Sequence, residues 1–90
     1  MFGSKHKAKI NEYAILMANV ITDSSDFDDD ALRYMSEDEF AYLQGHRCIE
    51  DLRLGTRNSR RLANGFRDAL VDTGLPTNDA IRHVDRFWLF

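Results

Sequence analysis

Apolar residues recur with a helical period of about 3.6 along most of the chain, and they are densest at residues 10–21. At about 100° per residue, Ile10, Tyr13, Ala14, Leu16, Met17, Ala18, Val20 and Ile21 spread over an arc of roughly 200°. Asn11, Glu12 and Asn19 leave a narrow polar wedge with Ile15 inside it. A helix covered on one side needs about half that arc. The segment is therefore expected either to be packed by several neighbours or to give part of its circumference to a subunit interface. It is too short to span a bilayer, which takes about 20 residues.

The chain around this segment also reads as helical. The first helix is expected to begin between Ser4 and Lys7 and to end at Thr22 or Asp23, where Asp-Ser-Ser-Asp supplies turn chemistry. Residues 23–30 form an acidic connector anchored by Phe27. Its last aspartates can cap a short helix over residues 28–35 that buries Ala31, Leu32 and Met35. Ser36 and Glu39 have capping-box spacing, and Glu37 and Asp38 put negative charge in the first turn of the next helix. Ala41, Gly45, Cys48, Ile49 and Leu52 make its apolar stripe, with Phe40 and Leu43 on a second flank. Gly45 costs about 1 kcal/mol relative to alanine inside a helix, so a close approach by another backbone is expected there.

Gly55 is expected to close that helix as its C′ residue, with Thr56 or Asn58 capping the next. Leu62, Ala63, Phe66, Ala69, Leu70 and Thr73 then form a stripe of about 120°. Gly74 stops this helix and Thr77 is expected to cap the last, which turns Ala80, Ile81, Val84, Phe87 and Trp88 to one side. The reading is all-α, a small compact bundle or orthogonal array. Its four main helices lie at about 6–22, 37–54, 58–73 and 78–89, with a short one at about 28–35. Residues 1–90 make a single domain, and residues 1–4 are expected to be disordered ahead of the first helix.

Composition narrows the class. Hydrophobic residues at 43% and charged residues at 30% are ordinary for a globular domain. A chain of 90 residues buries a modest share of its surface, and a partner subunit would relieve that shortage. The single Cys48 cannot make an internal disulfide and no Cys-x-x-Cys occurs, so a cytoplasmic location is the expectation. The N-terminal lysines precede an apolar run, but Asn11, Glu12 and Asn19 interrupt it and no small-residue cleavage site follows, so a signal peptide is not expected.

Charge is unevenly spread. Net charge is −3, yet residues 22–42 hold eight acids against Arg33, and residues 43–67 hold six arginines against Glu50 and Asp51. Arg57, Arg60, Arg61 and Arg67 fall within roughly 120° on the face of their helix opposite the apolar stripe, and Arg53 lies just upstream. Arginine forks suit bidentate contacts to carboxylates or phosphates. The face can pair with the acidic connector in one chain or between two, bind another acidic partner, bind nucleic acid, or stand solvated.

Asp26, Asp28, Asp30 and Glu37 stand at positions 1, 3, 5 and 12 of an EF-hand-like spacing. Ala31 stands where the sharp turn wants glycine, and Arg33 where an apolar residue is usual. The segment, with Asp29, is therefore read as a solvated acidic loop or interaction surface rather than a calcium site. Residues 66–84 have a superficial helix-turn-helix layout around Gly74, but the strong apolar positions are Ile81 and Val84 instead of Ala80 and His83. Asn78 and Asp79 also start the second helix with the wrong charge for phosphate. His46 and Cys48 are two residues apart and point about 200° away from each other on a helix, so neither a catalytic pair nor a local metal site follows. No glycine-rich phosphate loop occurs, and neither enzyme activity nor a cofactor is expected.

The last four residues, 87–90, concentrate aromatic area. Phe87 and Trp88 are expected to close the bundle, while Leu89 and Phe90 either cover another flank or meet a partner. The leading functional expectation is a small non-enzymatic protein-interaction module, a regulator, inhibitor or adaptor that self-associates as a dimer. The alternative is a nucleic-acid-binding regulator using the arginine face.

Overall fold

The computed structural model describes the backbone of residues 2–22 and 35–90 and the side chains of residues 6–22 and 35–90. All regular structure among the described residues is helical: α1 (Phe2–Thr22), α2 (Glu37–Leu52), α3 (Thr56–Asp72) and α4 (Thr77–Leu89). The expected short helix at 28–35 and the loop anchor Phe27 lie outside the described residues, except Met35, which sits in a bend before the Ser36 cap. The first helix starts at Phe2, ahead of the expected start near residue 6.

α1 packs on α2 and α3, and α4 packs on α3 and α2; α1 with α4, and α2 with α3, barely approach each other. In cross-section the helices therefore follow round in the order α1, α2, α4, α3, an all-α bundle in which the consecutive helices α2 and α3 face each other across a diagonal. The core is filled by Ile10, Ala14, Met17, Ala18 and Val20 of α1; Ala41, Tyr42 and Cys48 of α2; Leu62, Ala63, Phe66 and Leu70 of α3; and Ala80 and Phe87 of α4. Phe66 and Phe87 meet edge to face at 6.4 Å between ring centroids and bring α3 and α4 together.

The helix ends follow from local chemistry. Ser36 and Glu39 form the expected capping box, with the Ser36 hydroxyl accepting from the Glu39 amide at 3.2 Å. At the far end of α2 the chain departs from expectation: the helix ends at Leu52, and Arg53, not Gly55, takes the left-handed conformation, at φ 50° and ψ 52°. The Leu54 amide reaches back to the Ile49 carbonyl at 2.9 Å and Arg53 to Glu50 at 3.2 Å, a Schellman ending that tucks Leu54 against the core. The apolar residue after the turn decides the register here, and Gly55 is left to serve as N-cap of α3 in place of Thr56 or Asn58. The end of α3 repeats the motif with a glycine. Gly74, at φ 104°, precedes Leu75, whose amide bonds the Leu70 carbonyl at 3.2 Å. Pro76, not Thr77, is the residue before α4, and Thr77 is its first helical residue.

Two further corrections concern packing. A Cβ placed on Gly45 would lie 2.5 Å from Phe87 Cε1, 2.7 Å from Met17 Cε and 2.9 Å from Met17 Sδ, so the close neighbours are two core side chains and not a backbone. The α1 arc buries less than its width suggests. Leu16, inside the arc, is 42% exposed, because α1 touches two helices and leaves its outer side bare; Ile15, in the polar wedge, is exposed beside it. No described helix is long and apolar enough to cross a membrane.

Candidate functional site

The arginine face of α3 does not stand alone. α1 crosses α3 where small residues allow a close approach, with a Gly65 Cβ position only 3.1 Å from Ala14 Cβ. Beside that crossing the two helices diverge into an open groove of about 990 Å³. Ile10, Ala14 and Gly65 form its floor; Arg57, Arg60 and Arg61 from α3 and Lys7 from α1 line it, with Asn11 and Asn64 among them. Asp68 is the acid lining it, and that carboxylate is held by its neighbour Arg67 at 3.2 Å.

No ion pair is formed by Lys7, Arg57, Arg60 or Arg61 among the described residues. The first turn of α3 adds to the same sign: it carries no acid and no side-chain cap, so the helix start presents free amides. Arg60 also lines a smaller depression of about 380 Å³ with Leu54, Gly55, Ser59 and Trp88. Trp88, expected to close the core, is 44% exposed. Ala80, Val84 and Phe87 take the inward positions of α4, whereas Ile81 and Trp88 lie one residue on, about 100° round the helix, and face outward.

Of the residues singled out in the sequence, the structure thus gathers Arg57, Arg60, Arg61 and Trp88. Arg67 is turned to Asp68, and Arg53 stands exposed at the α2–α3 turn outside the groove. Phe90 is half exposed, its ring 6.0 Å from Tyr42 and 5.9 Å from His46. Asp26, Asp28, Asp29 and Asp30 lie outside the described residues. Lys7 escaped the sequence reading because nothing local connects residue 7 with residues 57–61.

A second polar cluster lies at the other end of α3, where Asp38, Asp79, Arg82, His83 and Arg86 surround a depression of about 240 Å³. Its charges are internally matched: Arg86 approaches Asp38 at 3.5 Å and Arg82 approaches Asp79 at 3.9 Å. The Tyr42 hydroxyl and His83 Nδ1 share a hydrogen bond of 2.8 Å beneath it. Burial pushes the Tyr42 hydroxyl pKa up, with Asp38 adding to the effect, and pulls the His83 pKa down. His46 uses Nε2 to donate to the Phe87 carbonyl at 2.9 Å and stacks on the Phe87 ring. Cys48 is fully buried and its thiol is pushed up to about 11, first by burial and then by Asp51, so it is no nucleophile at neutral pH.

No group of His, Cys, Asp and Glu among the described residues is placed to hold a metal ion. Comparison of the chain with models of known protein families, with curated proteins and with solved structures finds no match.

Proposed function

We propose that the chain is a small non-enzymatic helical interaction module, a regulator, inhibitor or adaptor that recognises another protein through charged and aromatic surface. The observation that carries this reading is the contrast between the two polar clusters. At the α2–α4 end every arginine has a carboxylate beside it, whereas at the α1–α3 groove Lys7, Arg57, Arg60 and Arg61 have none among the described residues. Solvated cations held around a preformed groove have no structural duty to perform and pair readily with an acidic partner. The overall balance of −3 and the eight acids at residues 22–42 work against wrapping on a nucleic acid.

Self-association belongs to the same reading. Ile15 and Leu16 leave apolar surface on the outer side of α1.

Nucleic-acid binding through the arginine face is the second reading, favoured by the four clustered cations and the free amides that start α3. A gel shift at low and moderate salt on wild type and on Arg60→Glu with Arg61→Glu separates the two. Protein recognition predicts negligible duplex binding near physiological salt. Phosphate recognition predicts a slope of log affinity against log salt of roughly −0.9 per contacted phosphate, so about −3 for three contacts, lost in the double variant. Tight wild-type binding with that slope would overturn the protein-partner reading.

A further inference from the structure

We propose that the α1–α3 groove and the Trp88 depression form one continuous docking track for a short extended segment of a partner protein, a run of aspartates and glutamates next to one apolar side chain. This rests on the protein-interaction reading above and gives the partner its chemistry. Thr56 and Arg60 line both cavities, so the cationic groove and the aromatic depression adjoin across these two residues.

The two parts ask for different side chains. Among the described residues, Lys7, Arg57, Arg60 and Arg61 surround the first part with no counter-charge of their own other than Asp68, already held by Arg67. They offer forked donors for several carboxylates, helped by the unoccupied amides at the start of α3. The second part is walled by Leu54 and by a Trp88 that is 44% exposed, and an aliphatic or aromatic residue would cover both.

Size sets the length of the occupant. From Arg57 to Asp68 the groove follows α3 for roughly 16 Å at about 1.5 Å per residue, the reach of about five extended residues. A floor of Ile10, Ala14 and Gly65 lies apolar beneath the charged rim, where the carbon stems of the occupant's acidic side chains would cover it. A long polyanion is also disfavoured by the net charge of −3, whereas a short acidic segment ends before its own charge accumulates.

Fluorescence anisotropy on the full chain at low salt tests this with two labelled peptides, an alternating Asp/Glu run ending in Leu-Phe and the same run ending in Ser-Ser. The Leu-Phe peptide is expected to bind about fivefold tighter, and Trp88→Ala is expected to erase that difference while leaving the Ser-Ser peptide unaffected. Arg60→Glu with Arg61→Glu should weaken both peptides at least about tenfold. Arg47→Glu with Arg82→Glu, the same change in net charge outside the track, should cost about twofold or less. Circular dichroism confirms that each variant is folded. Equal losses in the two charge-reversed variants would overturn the track in favour of net charge alone. Absence of binding by both peptides would overturn the track while the broader module reading stands on other surfaces. Single-stranded oligothymidylate binding tighter than either peptide, and lost on reversing Arg60 and Arg61, would overturn the track and the protein-partner reading together.

Discussion

Replacing Gly45 with alanine sets two effects of known size against each other. Alanine in a helix interior is favoured over glycine by about 1 kcal/mol, and Gly45 lies mid-way along α2 with ordinary helical backbone. The new methyl, however, would stand 2.5 Å from Phe87 Cε1 and 2.7 Å from Met17 Cε, where normal contacts are about 3.5–4.0 Å. Both neighbours are 0% exposed, and the Phe87 ring is backed by His46 at 4.6 Å and Trp88 at 5.1 Å, so it cannot slide about 1 Å without disturbing a second layer. Overpacking of this kind costs about 1–3 kcal/mol, and the upper half of that range applies where a ring must move. The net expectation is a loss of about 1–2 kcal/mol, a fall in Tm of roughly 4–15 °C for a domain of this size. Gly65→Ala is the matched control: its methyl meets only Ala14 Cβ at 3.1 Å, so the helix gain and the contact strain should nearly cancel. Urea and thermal unfolding followed by circular dichroism measure both. A Gly45→Ala protein as stable as wild type or more so would refute the packing of Phe87 and Met17 over that position.

Arg53→Gly should raise stability by up to about 1 kcal/mol, because the left-handed conformation at φ 50° burdens a side chain and not a glycine; a clear loss in chemical denaturation would show that the Arg53 side chain makes a stabilising contact. Because burial lowers the His83 pKa, with Asp38, Arg86, Asp79 and Arg82 facing it, the unfolded chain takes up the proton first. Stability should therefore be complete above pH 6.5 and decline as pH falls from there towards the folded pKa. His83→Gln should flatten that part of the stability profile, and an unchanged slope would assign it to another group. Sedimentation at micromolar concentration should show a dimer that Leu16→Lys converts to monomer; a wild-type monomer throughout would confine the outer face of α1 to solvent.

Local signals carried most of the fold. Ser36 and Glu39 spelled out the start of α2, the stripe from Leu62 to Leu70 fixed the inward face of α3, and Gly74 marked its end, because each depends on residues within one or two turns. What escaped was set by tertiary contact or by competition between equivalent signals. Gly55 looked like the natural C′ residue, but burying Leu54 moved the left-handed turn to Arg53. Ile81 and Trp88 are as apolar as any core residue, and only the position of α3 beside α4 decides that Ala80, Val84 and Phe87 go inward. The arginine face was visible as a cluster, whereas its conversion into a groove required α1 to supply Lys7 and the apolar floor from more than forty residues away.

The diagonal relation of α2 and α3 has a kinetic consequence. Residues 53–55 join the two helices directly, yet the pair barely touch, so they cannot assemble as a self-sufficient hairpin. The contact that closes the ring on the α1 side joins Ala14 to Gly65, 51 positions apart in a chain of 90 residues. The consecutive pairs α1–α2 and α3–α4 can each form locally, but the core, to which α1 supplies five of the fourteen buried apolar residues described, is completed only when that longer-range contact is made. Folding is accordingly expected to be a single cooperative event, with the docking of the α1–α2 pair on the α3–α4 pair, mainly α1 against α3, as its committing step.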